Sequence, residues 1–366
     1  PRTYLGLELN EVSLSFASGR LTYLIYDHYF IASFTPYLVE DAIRTFQDEN
    51  YKSFREVFAE HQQITKIKQD EGNIYLNYKS FLKGSQAFVA NDLDKKFLTS
   101  AFLDLNIEDD HISLSGFSFA DSSKTLQMIK GINGAPLDMS DVISNSTSIL
   151  HHFSFQDPYS WRDQQKNVNL HDQKTSYSDL SVIPRDALKF LGQEIGRAIQ
   201  LRNGQKVPIL IIECKKSEGL IHYLDAIAKQ IPNQRSDHFF VEQYNQHIIR
   251  QLPVKNLAAL LFGDIAKDLP EGYYSSFENY VLISPNLPVL KEFLSDNLNE
   301  NTWGKTLSKK KFLKKINKAS PHTIIVNGAE SWDYLYPAMQ TQWQNDFMMS
   351  EMIFKSFGHL AIQFSS

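Results

Sequence analysis

Residues 272–327 carry the pattern of a β-hairpin, two helical segments and a closing strand, and this order constrains the fold more than any other stretch. Aromatic and β-branched residues on both sides of Glu278 predict two short strands joined by a turn. Ser284 can cap the helix that follows, in which leucines between residues 287 and 298 form one apolar side. After a lysine-rich helical segment, the β-branched run at 323–326 predicts the closing strand.

The same outline begins again near residues 20, 102 and 195, so the sequence predicts four repeated ββα(α)β units. The clearest match joins the first and the fourth copies, in which several residues agree at one constant offset. They are Tyr23, Tyr29 and Ser33 in the first copy and Tyr274, Tyr280 and Ser284 in the fourth. Because each helix follows a hairpin and not a single parallel strand, we predict an α+β fold, with antiparallel sheets and helices packed on one face.

The length and the distribution of polar residues predict two halves. At 366 residues the chain is long enough for about two or three domains. Residues 163–181 are rich in Gln, Asn, Asp, Lys and Ser, which indicates a long surface connection. We therefore predict a first α+β half at 1–162, a polar connection at 163–184 and a second α+β half at 185–366, with two repeated units in each half.

The composition disfavours several classes of partner and of bond. A net charge of -5 and a pI near 6.1 give no overall field that would attract nucleic acid or an anionic membrane. Cys214 is the one cysteine, so no intrachain disulfide forms, and its apolar surroundings predict a buried side chain. No apolar run reaches the length of a spanning helix, and no signal-peptide pattern opens the chain. Because the chain begins at Pro1 without a methionine and ends in a strand-like run, we expect a fragment or a processed product of a longer protein.

No motif assigns a catalytic, cofactor-binding or metal-binding residue, and we predict no cofactor. The glycines lack Walker-A and dinucleotide-binding spacing, and the sequence contains no Gly-x-Ser-x-Gly elbow. A Ser-His-Asp triad assembles in space, so the sequence leaves it open. His151 and His152 are neighbours in a predicted strand and should point to opposite faces, which disfavours a shared metal site. One of them could meet Asp157 or His111; the favoured alternative is a solvent-facing or hydrogen-bonded histidine.

A cluster of acidic residues accompanies the predicted hairpin of the second copy. Its members are Asp104, Glu108, Asp109 and Asp110. They could bind a divalent cation, but they lack the Asp-x-Asp-x-Asp-Gly spacing that directs oxygen ligands inward. The sequence therefore favours a solvated turn.

Two further features could contact a partner directly. The basic segment has apolar residues on its other side and could dock on acidic lipid or on a partner; the favoured alternative is the solvated face of a helix packed on a sheet. Its lysines are Lys305, Lys309, Lys310, Lys311, Lys314 and Lys315. The candidate recognition aromatics are Trp161 beside Arg162, and Trp332 near Tyr334 and Tyr336. Packing in the core or at its rim is the favoured alternative for these aromatics.

Several phrases of the sequence resemble a family of uncharacterised bacterial envelope proteins, which carry a domain of unknown function and one N-terminal membrane-spanning segment. The phrases are YFIAS at 29–33, LVEDAIR at 38–44, ISLSGFSF at 112–119, LLFGDIA at 260–266, YYSSFENYVLIS at 273–284 and LAIQFSS at 360–366. The resemblance spans most of the chain and consists of strand and helix patterns. It implies a location outside the cytoplasm, in the periplasm or cell envelope, with a membrane anchor that lies outside this chain. It assigns no catalytic residue.

Because the sequence repeats a structural unit and contains no catalytic motif, we expect a non-enzymatic scaffold or binding module. Its partner would be an envelope protein or a glycan, bound through hairpin tips or an open sheet face. The alternative is a hydrolase-type enzyme with a site in the cleft between the two halves, near residues 163–181. Docking of the basic helix on a membrane surface is a third hypothesis.

Overall fold

The chain forms two compact units, which are described separately. The computed structural model describes residues 2–13, 20–48, 50, 71–78, 80–81, 100–119, 129–166, 184–202, 204–229, 240–316 and 319–364. Unit 1 consists of Pro1–Tyr75 with Phe102–Phe117, and unit 2 consists of Leu76–Ala101 with Ser118–Ser366.

Unit 1 contains a four-stranded antiparallel sheet with one helix packed on it. Its strands, in spatial order, are β1 (Arg2–Tyr4), β2 (Leu7–Ser13), β3 (Arg20–Tyr26) and β4 (Tyr29–Ser33). Helix α1 spans Pro36–Gln47 and begins with a proline, which the first turn accepts because its N–H groups have no helical partner. The core between the sheet and the helix consists of Leu9, Leu24, Val39 and Ile43.

The alternation of apolar and polar residues over 3–16 predicts a single strand, but the structure divides this stretch by a turn between β1 and β2. The chain reverses at Leu5 and Gly6, whose φ angles of 46° and 80° lie in the left-handed region. Glycine adopts this region at little cost, so Gly6 permits a tight turn that the alternation of apolar and polar residues did not reveal.

Three more strands form a separate sheet, most of whose residues belong to unit 1. Their spatial order is β5 (Gly72–Asn77), β6 (Ser100–Glu108) and β7 (His111–Phe119). The sequence predicts β5 from the run at 74–77 and the β6–β7 hairpin from the runs at 102–107 and 112–119, and the structure confirms both. Apolar patterns at 54–64 and after residue 121 predict helical segments; residues 51–70 and 120–128 lie outside the described residues.

Unit 2 is built on a nine-stranded sheet in which all eight pairs of neighbouring strands are antiparallel. In chain order its strands are β8 (Thr147–Ser154), β9 (Leu191–Arg202), β10 (Gln205–Cys214), β11 (Val241–Tyr244), β12 (His247–Gln251), β13 (Tyr273–Phe277), β14 (Tyr280–Ser284), β15 (His322–Asn327) and β16 (His359–Phe364). Their spatial order is β11-β12-β13-β14-β10-β9-β8-β15-β16. The fold is therefore α+β with antiparallel sheets, as the sequence predicts.

Helices connect these strands. In chain order they are α2 (Pro158–Lys166), α3 (Pro184–Leu188), α4 (Ser217–Lys229), α5 (Leu257–Phe262), α6 (Leu287–Leu298), α7 (Leu307–Leu313), α8 (Gly328–Ala338), α9 (Thr341–Met349) and α10 (Glu351–Ser356). Short 3-10 turns occur at Met139–Asp141 and Gly263–Ala266.

Helices pack on both faces of the nine-stranded sheet, so the prediction that they lie on one face is wrong for unit 2. On one face, Leu210 and Ile212 of β10 share a cluster with Leu224 of α4. On the other face, Ile211 shares a cluster with Phe293 of α6. The physical reason is that β10 is apolar at consecutive positions, and a strand of this kind is buried on both faces.

The two units differ from the predicted halves at 1–162 and 185–366. Strand β8, from the predicted first half, lies between β9 and β15 of the predicted second half. The polar residues at 163–181 carry no information on the pairing of β8 with β15, because these two strands are distant in sequence. Residues 167–183 of the predicted connection lie outside the described part of the chain.

Candidate binding surface

Among the described residues of unit 2, the two most exposed large apolar side chains, Met349 and Met352, lie on the short helices α9 and α10. Met348 and Ile353 of the same helices and Phe357 just after them are also exposed, and we call these five residues the methionine surface. Met349 and Met352 are 82% and 85% exposed. Large apolar side chains at this level of exposure are typical of interaction sites when they adjoin one another.

The opposite side of α9 and α10 is fixed to α8 by aromatic packing. The ring of Trp332 lies 4.7 Å from that of Phe347 and 5.6 Å from that of Phe354. Trp332 itself is buried. The methionine surface is therefore presented by helices that have an anchored inner side.

The sequence did not identify the methionine surface, although its residues are visible as a run of large apolar side chains between 347 and 357. The sequence instead indicated Trp332, Tyr334 and Tyr336 as candidate recognition aromatics. Trp332 packs inside, and Tyr336 stacks on it with ring centroids 6.0 Å apart. The hydroxyl of Tyr334 lies 2.5 Å from Nζ of Lys206. These contacts agree with the packing alternative.

Trp161 and Arg162 also pack inside unit 2, being 1% and 2% exposed. Trp161 stacks on Phe155 with ring centroids 5.0 Å apart, and Nη2 of Arg162 donates a hydrogen bond to the carbonyl oxygen of Leu260 at 3.0 Å. Burial lowers the pKa of Arg162. Neither side chain contributes to an exposed recognition site.

The histidines His151 and His152 do point to opposite faces of β8. Nε2 of His152 lies 2.9 Å from Oε2 of Glu194, and both side chains are buried. His151 stacks on His322 with ring centroids 6.1 Å apart. The described residues contain no group of three or more His, Cys, Asp or Glu side chains that could hold a metal ion.

The two other residues considered with these histidines have separate local roles. Asp157 accepts hydrogen bonds from the backbone N–H groups of Tyr159 and Ser160, which stabilises the start of α2. His111 lies in the β6–β7 hairpin, with Nδ1 3.0 Å from Asp110 and Nε2 3.5 Å from Glu108. The acids at this turn are exposed, as expected for a solvated tip.

Glu194 is the centre of a buried polar network. Besides contacting His152, its carboxylate accepts hydrogen bonds from the hydroxyl of Tyr280 at 3.1 Å and from the backbone N–H of Asp138 at 3.0 Å. Burial and the neighbouring Glu194 carboxylate raise the pKa of Tyr280. These bonds join β8, β9 and β14, and Glu194 is only 2% exposed, so the network stabilises the sheet away from solvent.

A second network lies at the other end of β9. Oγ of Ser144 donates to Oδ2 of Asp296, and Nε2 of Gln200 donates to Oγ of Ser146 at 2.9 Å. Ser144 and Gln200 are buried, and Ser146 and Asp296 are half-buried. Serine and aspartate meet here in hydrogen bonds that join α6 to the sheet.

The basic helix α7 packs on unit 2 by its apolar side. Phe312, Leu313 and Ile316 lie against the cluster that contains Phe293. Lys309 points inward: its Nζ donates to the carbonyl oxygen of Asn145 at 3.0 Å, and burial lowers its pKa to about 8. This arrangement matches a helix packed on a sheet. Cys214 is buried as predicted, and burial raises the pKa of its thiol to about 12.

No family model, no curated protein and no solved structure matches this chain. No helix in the described residues combines the length and the apolar character that crossing a membrane requires.

Proposed function

We propose that this chain is a non-enzymatic scaffold and binding module of a longer extracytoplasmic envelope protein, and that it binds an envelope protein through the methionine surface. The observation that carries the proposal is the exposure of five large apolar side chains, close in sequence, on and just after two helices whose inner side is anchored. The location in the envelope is supported by the family resemblance.

The chemistry of the surface favours a protein partner over a glycan. Methionine is flexible and polarisable, and it adapts to apolar side chains of different shapes. The charged pair next to it, Glu351 with Lys355, forms an ion pair within α10 and can remain at a solvated rim. A partner with an exposed apolar helix or strand fits such a surface.

We also propose that the chain arose by duplication of a hairpin-and-helix unit. Support comes from β3–β4–α1 and β13–β14–α6, whose residues correspond at one constant offset. All five residue pairs of the two hairpins agree, from Thr22 with Ser33 and Tyr273 with Ser284 to the pairs that close the turns. Both turns begin with a left-handed residue, and α1 and α6 are both 12 residues long.

A site-specific photo-cross-linker in place of Met352 tests the binding function. The whole chain carrying it is mixed with envelope extract, illuminated and analysed by mass spectrometry. We expect one partner protein joined at residue 352, and loss of this product when Met349→Asp is added, because a charge in an apolar contact disrupts it.

The matched control places the same cross-linker at Asp346, a polar exposed position of α9. The proposal predicts much less product from this position. Equal products from residues 346 and 352, or a product at 352 that Met349→Asp leaves unchanged, would contradict specific binding through the methionine surface.

A further inference from the structure

The hairpin β3–β4 of unit 1 and its counterpart in unit 2 differ in their neighbours. Among the described residues, β4 pairs with β3 alone. In the corresponding hairpin of unit 2, β14 pairs on one side with β13 and on the other side with β10. In the described part of the chain, the outer edge of this hairpin thus has an antiparallel neighbour in unit 2 and none in unit 1.

Backbone groups of Phe30 and Ala32 point to this open edge. In an antiparallel pair, residues that exchange hydrogen bonds alternate with residues that do not. The pair Tyr26 and Tyr29 closes the two-residue turn, so the next residue, Phe30, directs its N–H and C=O away from β3. The corresponding residue in unit 2, Val281, directs its backbone toward Ile212 of β10.

Near this edge, apolar side chains are exposed to solvent both on the sheet and on the helix packed against it. Phe30 is 65% exposed, whereas the corresponding Val281 is fully buried. On the helix, Leu38 is 55% exposed, whereas the corresponding Val289 is 3% exposed. The apolar surface therefore continues across the open edge, from one face of the sheet to the side of α1.

In unit 2 the corresponding helix side faces the strands beyond β14. Nδ2 of Asn297 donates to the carbonyl oxygen of Val142 at 3.0 Å. The turn that precedes Val142 lies over β9, because a Cβ added to Gly196 would come within 2.5 Å of Sδ of Met139. By correspondence, the side of α1 that contains Leu38 and Ala42 faces the region beyond β4, whereas Phe46 stacks on Tyr26 of β3 with ring centroids 5.2 Å apart.

We propose that this surface binds a second copy of the chain, so that β4 pairs with β4 of the other copy across a two-fold axis. The axis makes the two strands antiparallel, which is the geometry that β10 supplies to β14. With the axis at Ile31, each Phe30 lies opposite an Ala32, a large side chain beside a small one. The two α1 helices then lie side by side and contact each other through Leu38 and Ala42.

The composition of β4 suits a contact with an identical strand. Strand β4 contains no charged residue, so two copies meet without repulsion, and it contains no proline that would protect the edge. The edge strand β11 of the other sheet carries Glu242, which lies 2.6 Å from Lys291. The proposal rests on the correspondence of the two hairpins and not on the methionine surface.

Analytical ultracentrifugation of the whole chain tests the proposal. We expect a species of twice the 42.1 kDa chain mass at micromolar concentration. Ala32→Pro should convert it to the monomer, because proline removes the N–H at the open edge and its ring blocks the approaching strand. Leu38→Glu should have the same effect by placing charges between the two helices.

Val12→Ser is the matched control, since it removes another exposed apolar side chain of the same sheet away from β4; the mass should stay doubled. Circular dichroism establishes that each variant is folded, and Leu38→Glu decides the matter if Ala32→Pro does not fold. A monomer in the unmodified chain, an assembly of more than two copies, or a dimer that persists in folded Leu38→Glu would overturn the proposal.

Discussion

The hairpin and helix of unit 1 and those of unit 2 share strand register, turn conformation and helix length, yet they bury very different amounts of apolar surface. In β14, Val281, Leu282 and Ile283 are fully buried, whereas Phe30 of β4 is mostly exposed. The difference arises from neighbours. Unit 2 places β10 beside β14 and α4 over its face, and the described part of unit 1 supplies no counterpart.

Local sequence therefore determines the hairpin and the helix, while distant segments determine how much of each is buried. Burial in turn sets the energetic weight of a residue, since removing a buried side chain leaves a cavity and removing an exposed one does not. The comparison can therefore be tested by changing corresponding residues of the two units.

The largest effect is expected from the helix side that is covered in unit 2 only. Phe293→Ala in α6 should lower the free energy of unfolding by about 3–5 kcal/mol, because Phe293 is fully buried. Phe46→Ala in α1 should cost only about 1–2 kcal/mol, since Phe46 is 46% exposed and stacks on Tyr26 with ring centroids 5.2 Å apart. Urea unfolding measures both, and equal losses would contradict the difference in burial.

Acid should weaken unit 2 through His322, which is 2% exposed. Burial, with His151 and His152 nearby, lowers its pKa from 6.5 to about 3. Below pH 6.5 the unfolded chain binds a proton that the folded chain does not, so stability should fall until about pH 3. The loss between pH 6.5 and pH 5 should be about 2 kcal/mol.

Tryptophan fluorescence follows the unfolding of unit 2, because the residues Trp161, Trp303, Trp332 and Trp343 all belong to it. His151 and His359 of the same unit also have pKa values lowered by burial, so a control variant must separate the effect of His322. His322→Phe is the control, since it keeps an aromatic ring between Phe153 and Phe364 and removes the titrating group. We expect a smaller slope of stability with pH in this variant. The same slope in both proteins would assign the acid effect to other groups.

The smallest of the three effects concerns a tyrosine that follows the turn in both hairpins. Tyr280→Phe should cost about 1.5 kcal/mol, because it removes a hydrogen bond to the buried carboxylate of Glu194. Tyr29→Phe should change stability by less than about 0.5 kcal/mol, since Tyr29 is 64% exposed. Thermal unfolding of the two variants provides the test, and a larger loss for Tyr29→Phe would contradict it.

Several elements could be predicted because their signals are local. The turn at Glu278 and Asn279 and the aromatic and β-branched residues around it gave the β13–β14 hairpin. The β-branched run at 323–326 gave β15. Such residues favour strands and turns through their own backbone preferences, whatever their distant neighbours are.

Other elements could not be predicted because their signals are not local. The position of β8 depends on its pairing with β15, and no property of residues 147–154 indicates that β15 is the partner strand. Helices on both faces of the sheet also escaped the prediction, because a hairpin followed by a helix has the same pattern whichever face the helix covers.

The candidate surface escaped the sequence for a similar reason. Large apolar residues usually belong to the core, so Met349 and Met352 carried no sign of exposure. Their exposure follows from the packing of Phe347 and Phe354 on Trp332, which turns the other side of both helices outward. The buried contact of His152 with Glu194 likewise needed the pairing of β8 with β9.

The place of β8 between β9 and β15 also has a consequence for synthesis of the chain. Strand β9 leaves the ribosome soon after β8, but β15 begins only at His322. Until β15 has been synthesised, one edge of β8, which includes Leu150, cannot pair with it. Pairings between segments so far apart slow folding and prolong the exposure of unpaired edges. A nascent chain of this protein therefore passes through an aggregation-prone stage that ends only when its C-terminal strands are made.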